Sequence, residues 1–332
     1  MLISIYNEST FESAIIQSLV DQGGYMETTP SDFSQELALD KKQVIAFLKE
    51  TQFKQWEKLQ AIHGADIENR VIQRLFKELD LRGTLDVLRN GIVDYGVRFD
   101  MAYFKPETKL NPETKALYDK NRLTITRQVH YSTKSEHSVD LVLGLNGLPV
   151  CTVELKNLFT GQTVQNARRQ YIEDRDPREL LFQFKKRALV HFAVDTDEVY
   201  MTTRIDGKRT KYLPFNLGYD NGAGNPPNPN GYKTAYLWEN VWAKDSWMDI
   251  IGRFLHLQIE DIEDKTTGQK YKKGNHDFPP LPPTGLSSEI VRSCQRRRCW
   301  TSLPDSAFSR IRQEQFHCLA GVSIIESTQR QR

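Results

Sequence analysis

Three charged residues interrupt two otherwise apolar stretches in the segment SVDLVLGLNGLPVCTVELK (138–156). Asp140 lies in the run Val139–Leu143, and Glu154 and Lys156 flank Leu155 at the end of the run Val150–Leu155. Hard cations such as Mg2+ take oxygen ligands, often one or two carboxylates completed by water. A cation held in this way lowers the pKa of its water and neutralises charge that builds on a phosphate. A lysine beside it adds a positive point charge that orients the attacking water and stabilises the transition state. The chemistry on offer is metal-assisted hydrolysis of a phosphodiester. The competing explanation is a salt bridge on a sheet face, since a D…ExK spacing arises by chance in many chains. Three charges in apolar strands are costly to bury without a purpose, and that cost favours chemistry.

The elements that carry these residues must bring them to one face. Both runs are β-prone, and Asn146-Gly147 between them is a strong turn signal, so the segment reads as a hairpin. Glu154 and Lys156 are two apart on one strand and share a face. Asp140 joins them only in one register. It pairs with position 154 if the turn is centred on Gly147, which requires an odd-length loop or a bulge; a tight two-residue Asn146-Gly147 turn puts it on the opposite face.

Around the hairpin the chain reads as helix first and sheet later. Ser9 to Val20 is predicted as a helix stopped by Gly23-Gly24, with Ser9 and Glu12 fitting a capping box. Lys41–Ile62 is predicted as one longer helix, Asp66–Leu79 as another and Gly83–Asn90 as a helical turn. Strands are expected at Tyr95–Phe104, Leu123–Tyr131, His137–Leu145, Pro149–Lys156, Ala188–Asp195 and Glu198–Thr203. Helices are expected at Thr163–Tyr171, Pro177–Lys186 and Asp245–Leu257, and 221–230 (NGAGNPPNPN) must be a loop. This is an α/β (α+β) arrangement, a central mixed sheet flanked by helices. The expected division is a helical part over 1–90, the core and its extension over 91–260, and a linker and tail over 261–332. His130 and His191 read as hydrogen-bonded sheet residues, and Trp238, Trp242 and Trp247 as core.

Composition narrows the classes further. No apolar run approaches the roughly 20 residues that span a bilayer, and the first residues show no secretory signal. Cys151, Cys294, Cys299 and Cys318 form no CxxC pair or metal-ligand spacing, so a reducing cytoplasm is the expected location. The net charge of +2 does not announce a nucleic-acid binder, so any DNA contact must come from a local patch. The candidate patch is 168–187, where Arg168, Arg169, Arg175, Arg178, Lys185, Lys186 and Arg187 stand against four acids. A solvated helix face is the plainer explanation of such a run.

The text around these residues resembles a known family. Asp140…Glu154-Leu155-Lys156 is similar to the PD-(D/E)xK nuclease core. The phrases NRLTITRQVHYS (121–132), SVDLVLGLNGLPVCTVELKN (138–157), GQTVQNARRQY (161–171), LVHFAVDTDEVYMTT (189–203) and YLPFNLGYDNGAGNPP (212–227) resemble the restriction (R) subunits of type I restriction enzymes. The resemblance covers about 1–280. It implies a DNA endonuclease that uses Mg2+, with Asp140 and Glu154 as metal ligands and Lys156 as the catalytic lysine. It also implies methylation and specificity subunits as partners, and ATP only in the full-length enzyme. Related RecB-type cores carry a Gln-x-x-x-Tyr motif on the next helix. Gln170 stands at its first position, but Asp174 occupies the Tyr place, which leaves Tyr171 as a stand-in. Some relatives bring a Glu from the first helix to the metal, here Glu12, although the capping box explains that residue without a metal. Two other functions fit the same core: a non-enzymatic module that docks DNA or the methyltransferase, and a stand-alone repair nuclease.

The resemblance stops near residue 280, where such subunits continue into an ATP-driven motor. From residue 289 onward the chain holds eight Arg, no Lys and four acids, and three of the four cysteines lie in this part. Back-translated with suitable codons and read one base later, Ser309–Gln315 becomes Ala-Gly-Ser-Gly-Lys-Ser, a Walker A ending. A shifted reading frame is therefore expected to replace the motor with sequence never selected to fold.

Overall fold

The computed structural model describes residues 8–106, 111–158, 161–220, 222–263 and 270–277. All of them belong to the first of the two units into which the chain divides, 1–281 and 282–332. The expectation of an aberrant tail falls mainly beyond residue 277 and to that extent lies outside the described residues.

Helix α1 (Glu8–Asp21) buries Phe11, Ile15, Ile16 and Leu19 on one face. Strand β1 (Tyr25–Thr28) follows, then the short antiparallel pair β2 (Phe33–Ser34) and β3 (Leu39–Asp40). Asp40 caps α2 (Lys41–Thr51) by accepting the Gln43 amide at 3.0 Å. Next come α3 (Phe53–His63), α4 (Ile67–Arg82) and α5 (Thr84–Asn90), and then the hairpin of β4 (Ile92–Asp94) and β5 (Val97–Phe99). After α6 (Pro112–Asp119) the chain enters the strands β6 (Leu123–His130), β7 (Ser138–Leu145) and β8 (Leu148–Leu155). Helix α7 (Val164–Glu173) crosses to β9 (Val190–Val194), followed by β10 (Val199–Thr202) and β11 (Leu213–Pro214). Helix α8 (Lys244–Asp249) and the hairpin of β12 (His256–Glu263) and β13 (Lys270–Asp277) complete the described elements.

Seven strands form one sheet in the order β1-β6-β7-β8-β9-β10-β11. The β1–β6 and β8–β9 pairs are parallel and the others antiparallel. This is the α/β class with a mixed central sheet that the patterning implied. Strand β8 is buried along its whole length, as a central strand covered on both faces must be. One core cluster joins residues of α1 to α5 with Leu141, Leu143 and Val153 of the hairpin, so the N-terminal helices and the sheet share their apolar interior. Trp238, Trp242 and Trp247 are buried in it, as expected.

Several elements differ from the expected pattern. The single helix over 41–62 is two helices, because Gln52 at the break (φ −140) makes a reciprocal pair of hydrogen bonds with the backbone of Asp100. The strand expected over 95–104 is the tight hairpin β4–β5, turned at Tyr95 and Gly96, both at positive φ. The second helix expected at 177–186 is absent. Only Leu180–Phe182 forms a 3-10 turn, and Lys185 at φ 72 cannot continue a helix. The last helix shortens to α8, continues as a π turn over Ile250–Phe254, and gives way to β12 at His256. The start of the expected linker at 261 therefore belongs to a paired strand.

The β7–β8 turn contains both devices that the sequence set against each other. Asn146 and Gly147 form a two-residue turn at φ 52 and 86, with Leu145 opposite Leu148. The register then shifts by one between Gly144/Pro149 and Leu143/Cys151, which leaves Val150 as the extra residue of a bulge. Beyond the bulge Leu141 faces Val153, so Asp140 comes into line with Glu154. The turn is also packed inside the protein: a Cβ on Gly147 would lie 2.5 Å from the Asp40 carbonyl oxygen and 2.7 Å from the Val44 amide nitrogen. Gly147→Ala combines that overlap with a positive φ. It is expected to cost roughly 2–4 kcal/mol, read as a lower urea midpoint.

Candidate active site

The hairpin ladder lapses where the carboxylates meet. The last backbone pair is Leu141 with Val153, and the Leu155 amide is taken instead by Asp140 Oδ2 at 2.7 Å. On the other side of β7 the ladder skips Gln128, which adopts φ 49 between the pairs Arg127/Leu141 and Val129/Val139. A side chain thus replaces a main-chain partner on one strand, and a kinked residue interrupts the other. Both features leave Asp140 without a backbone pair of its own in the ladder.

Glu154 is fully buried. Arg175, 4% exposed, donates to its Oε1 from Nε at 2.7 Å, with Nη2 in ion-pair contact with the same oxygen at 2.7 Å. Glu154 Oε2 is buried with no hydrogen-bond partner among the described residues. Burial pushes the Glu154 carboxyl well above the usual range, and the nearby Asp140 charge adds to this. Arg175 and Lys156 act in the opposite direction, toward the ionised form. Lys156 is also buried, at the end of β8, where its amide donates to the Val194 carbonyl of β9. Two residues before Glu154, Thr152 Oγ1 bonds the Tyr171 hydroxyl at 2.8 Å and His191 Nδ1 at 2.7 Å.

Glu12 is placed differently from the capping box. Helix α1 already includes Glu8, so Ser9 lies inside the helix and not at its cap. The Glu12 carboxylate reaches across to β6, where Gln128 Nε2 donates to its Oε2 at 3.2 Å and stands 3.4 Å from Asp140 Oδ1. Arg127 lies 3.8 Å from its other oxygen. The first helix therefore delivers a third carboxylate to the neighbourhood of Asp140 through the side chain of Gln128.

Of the two helix α7 candidates, Tyr171 is the buried one, on Thr152, and Gln170 is half-exposed. The helix itself is anchored by Asp195 Oδ2, which accepts the Val164 amide at 2.7 Å. The basic run does not assemble into a single grip. Arg175 is spent on Glu154. Arg168 packs its guanidinium over the rings of Tyr200 and Tyr212, at 4.5 and 5.1 Å. Lys185 and Lys186 meet the α4–α5 corner, their carbonyls bonded by the Thr84 amide and hydroxyl, and Arg187 is buried there beside Asp80. Arg169 is exposed, and Arg178, also exposed, chelates Asp176. Absence of the expected second helix explains the dispersal, since no regular face aligns these side chains. His130 and His191 are hydrogen-bonded sheet residues, to the Glu136 carbonyl and Thr152 respectively.

Gln128 and the role of Arg175 were not visible in the sequence. Gln128 sits in an ordinary strand pattern, and only its backbone angle distinguishes it. Arg175 looked like one charge among seven.

The metal implied by the resemblance suits this donor set. Among the described residues no three His, Cys, Asp or Glu side chains converge to hold an ion by themselves. Two carboxylates with water are nevertheless the usual protein share of a Mg2+ site, and Glu154 Oε2 is a buried oxygen lacking a donor. Among the described residues no helix is long and apolar enough to cross a membrane. No curated protein matches the chain. The family model described as the type I restriction enzyme R protein N terminus matches residues 5–210, a span that includes Glu12, Asp140, Glu154, Lys156 and Arg175, and the chain belongs to that family.

Proposed function

We infer that this N-terminal region of a type I restriction R subunit is its Mg2+-dependent DNA endonuclease. The observation that carries the reading is Glu154 Oε2, an unpartnered carboxylate oxygen buried beside Asp140 near the end of the strand that leads directly into the buried Lys156. Asp140 and Glu154 would hold Mg2+, which when bound supplies an acidified water and neutralises charge on the scissile phosphate. Asp140 is fixed for this by the Leu155 amide, which leaves its Oδ1 toward Gln128. Lys156 orients the attacking water and stabilises the charge of the pentavalent state. Methylation and specificity subunits would read the DNA site, and this region would supply the cut.

Asp140→Asn tests the metal half of the reading. Asparagine keeps an oxygen for the Leu155 amide, so the fold should persist. Mg2+ affinity by titration calorimetry is expected to fall at least tenfold, since even removal of groups that only support a ligand costs about 10–100-fold. Mg2+ binding equal to that of the wild type would sink the metal assignment and leave a docking module as the reading.

A further inference from the structure

Resting on the nuclease reading, one residue in the site does something that neither packing nor DNA contact accounts for. An arginine that meets a carboxylate as a structural ion pair normally does so fork to fork, one N–H to each oxygen. Arg175 does not. Its Nε donates to Oε1 of Glu154 and its Nη2 lies in ion-pair contact with that same oxygen, both at 2.7 Å, and Oε2 is left unpartnered among the described residues. The rest of the guanidinium is tied down elsewhere. Nη2 donates to the Ser138 carbonyl at 2.7 Å, and Nη1 stands 3.4 Å from the Tyr131 hydroxyl. One side chain thus links β7 two residues before Asp140, the Tyr131 that follows β6, and the carboxylate of β8.

This arrangement is expensive unless it is used. A buried ion pair gives little net stability over apolar packing, and an orphaned carboxylate oxygen adds a desolvation cost. We propose that Arg175 is a positioning residue that presents Glu154 to the divalent cation through a single oxygen, clamping Oε1 and reserving Oε2 as the ligand. The clamp also sets the distance between the two ligand strands, because the same guanidinium holds the Ser138 carbonyl on the strand that carries Asp140. The cation is therefore bound by Glu154 in monodentate fashion, and Arg175 keeps that geometry before the cation arrives.

The test is Mg2+ titration calorimetry of the wild-type chain and Arg175→Lys, with melting temperatures for both. Lysine keeps the buried charge but lacks the rigid pair of donors. Affinity is expected to fall at least tenfold while the melting temperature stays within about 4 °C, the shift of a mildly destabilising substitution in a domain of this size. Equal affinities would overturn the proposal and leave Arg175 a structural residue. If the lysine variant does not fold, wild-type crystals soaked in Mn2+ decide the matter. The anomalous peak should sit on Oε2 with Arg175 still on Oε1; a metal chelated by both oxygens, or a displaced Arg175, would overturn it. A wild-type chain that binds neither metal would instead sink the nuclease reading, an outcome distinct from failure at Arg175 alone.

Discussion

Lys156→Met is expected to reduce Mg2+-dependent nicking of supercoiled plasmid on the order of 100- to 1,000-fold, the usual cost of removing one group aimed at developing charge. Methionine keeps the apolar stem and the volume of a buried side chain, so the melting temperature should change little. Mg2+ affinity should hold or rise slightly, since a positive neighbour of the cation is gone. That combination separates Lys156 from Asp140: one variant loses turnover with the metal retained, the other loses the metal. Loss of nicking in a variant purified in the same way as the wild type excludes a trace contaminant, which would be present in both preparations. Full nicking by Lys156→Met would remove the lysine from the mechanism.

The hairpin that carries the three charged residues was legible because two near-continuous, β-prone apolar runs joined by Asn-Gly leave few other ways to fold. Its register was not. The sequence posed a choice between a tight turn and a bulge, and both occur, the bulge at Val150 undoing the face reversal that the tight turn causes. A bulge of this kind is paid for by neighbours in other elements, here the Leu189 amide, which takes the Val150 carbonyl, and local patterning contains no record of them. Strand β1 was missed for a related reason. Four residues, Tyr25–Thr28, earn strand geometry only by pairing with Leu123–Thr126, nearly a hundred positions later. The missing helix at 177–186 is the converse case. Its helical composition was outweighed by local Asp176–Arg178 bonding and by the tertiary bonds from Thr84 to the Lys185 and Lys186 carbonyls. For the site, residue type was enough to nominate Asp140, Glu154 and Lys156. Arg175 and Gln128 act only through partners distant in the chain, so no spacing rule could single them out.

Asn146→Ala is expected to be the most destabilising single change considered, about 3–6 kcal/mol by denaturant titration. Asn146 is fully buried at φ 52. Its Oδ1 accepts the Arg122 amide at 2.7 Å, and its Nδ2 donates to the Met101 carbonyl at 2.9 Å and to Asn121 Oδ1 at 3.0 Å. Alanine strands those buried groups, each at roughly 1–3 kcal/mol, and tolerates the left-handed backbone less well than asparagine. Against a typical total stability of about 5–15 kcal/mol, this is a large share. Asn146→Gly, which relieves the backbone but not the lost bonds, should recover only part of it. A loss below about 1 kcal/mol for alanine would mean that water replaces the side chain and that the turn is less closed than described.

Hairpin tips are ordinarily where a protein absorbs change: inserted residues, epitope tags and new chain ends go there because the tip is wet and unconstrained. The β7–β8 tip offers no such freedom, with Asn146 sealed in and Gly147 pressed against Asp40 and Val44. Lengthening it by even one residue would also undo the count that brings the two carboxylates onto one face. The β4–β5 tip is the opposite case, with Tyr95 exposed and open space beside Gly96. A fluorophore or affinity handle intended to report on this region without silencing it belongs at Tyr95–Gly96. Diversity among related chains should likewise accumulate at that tip and spare the buried one.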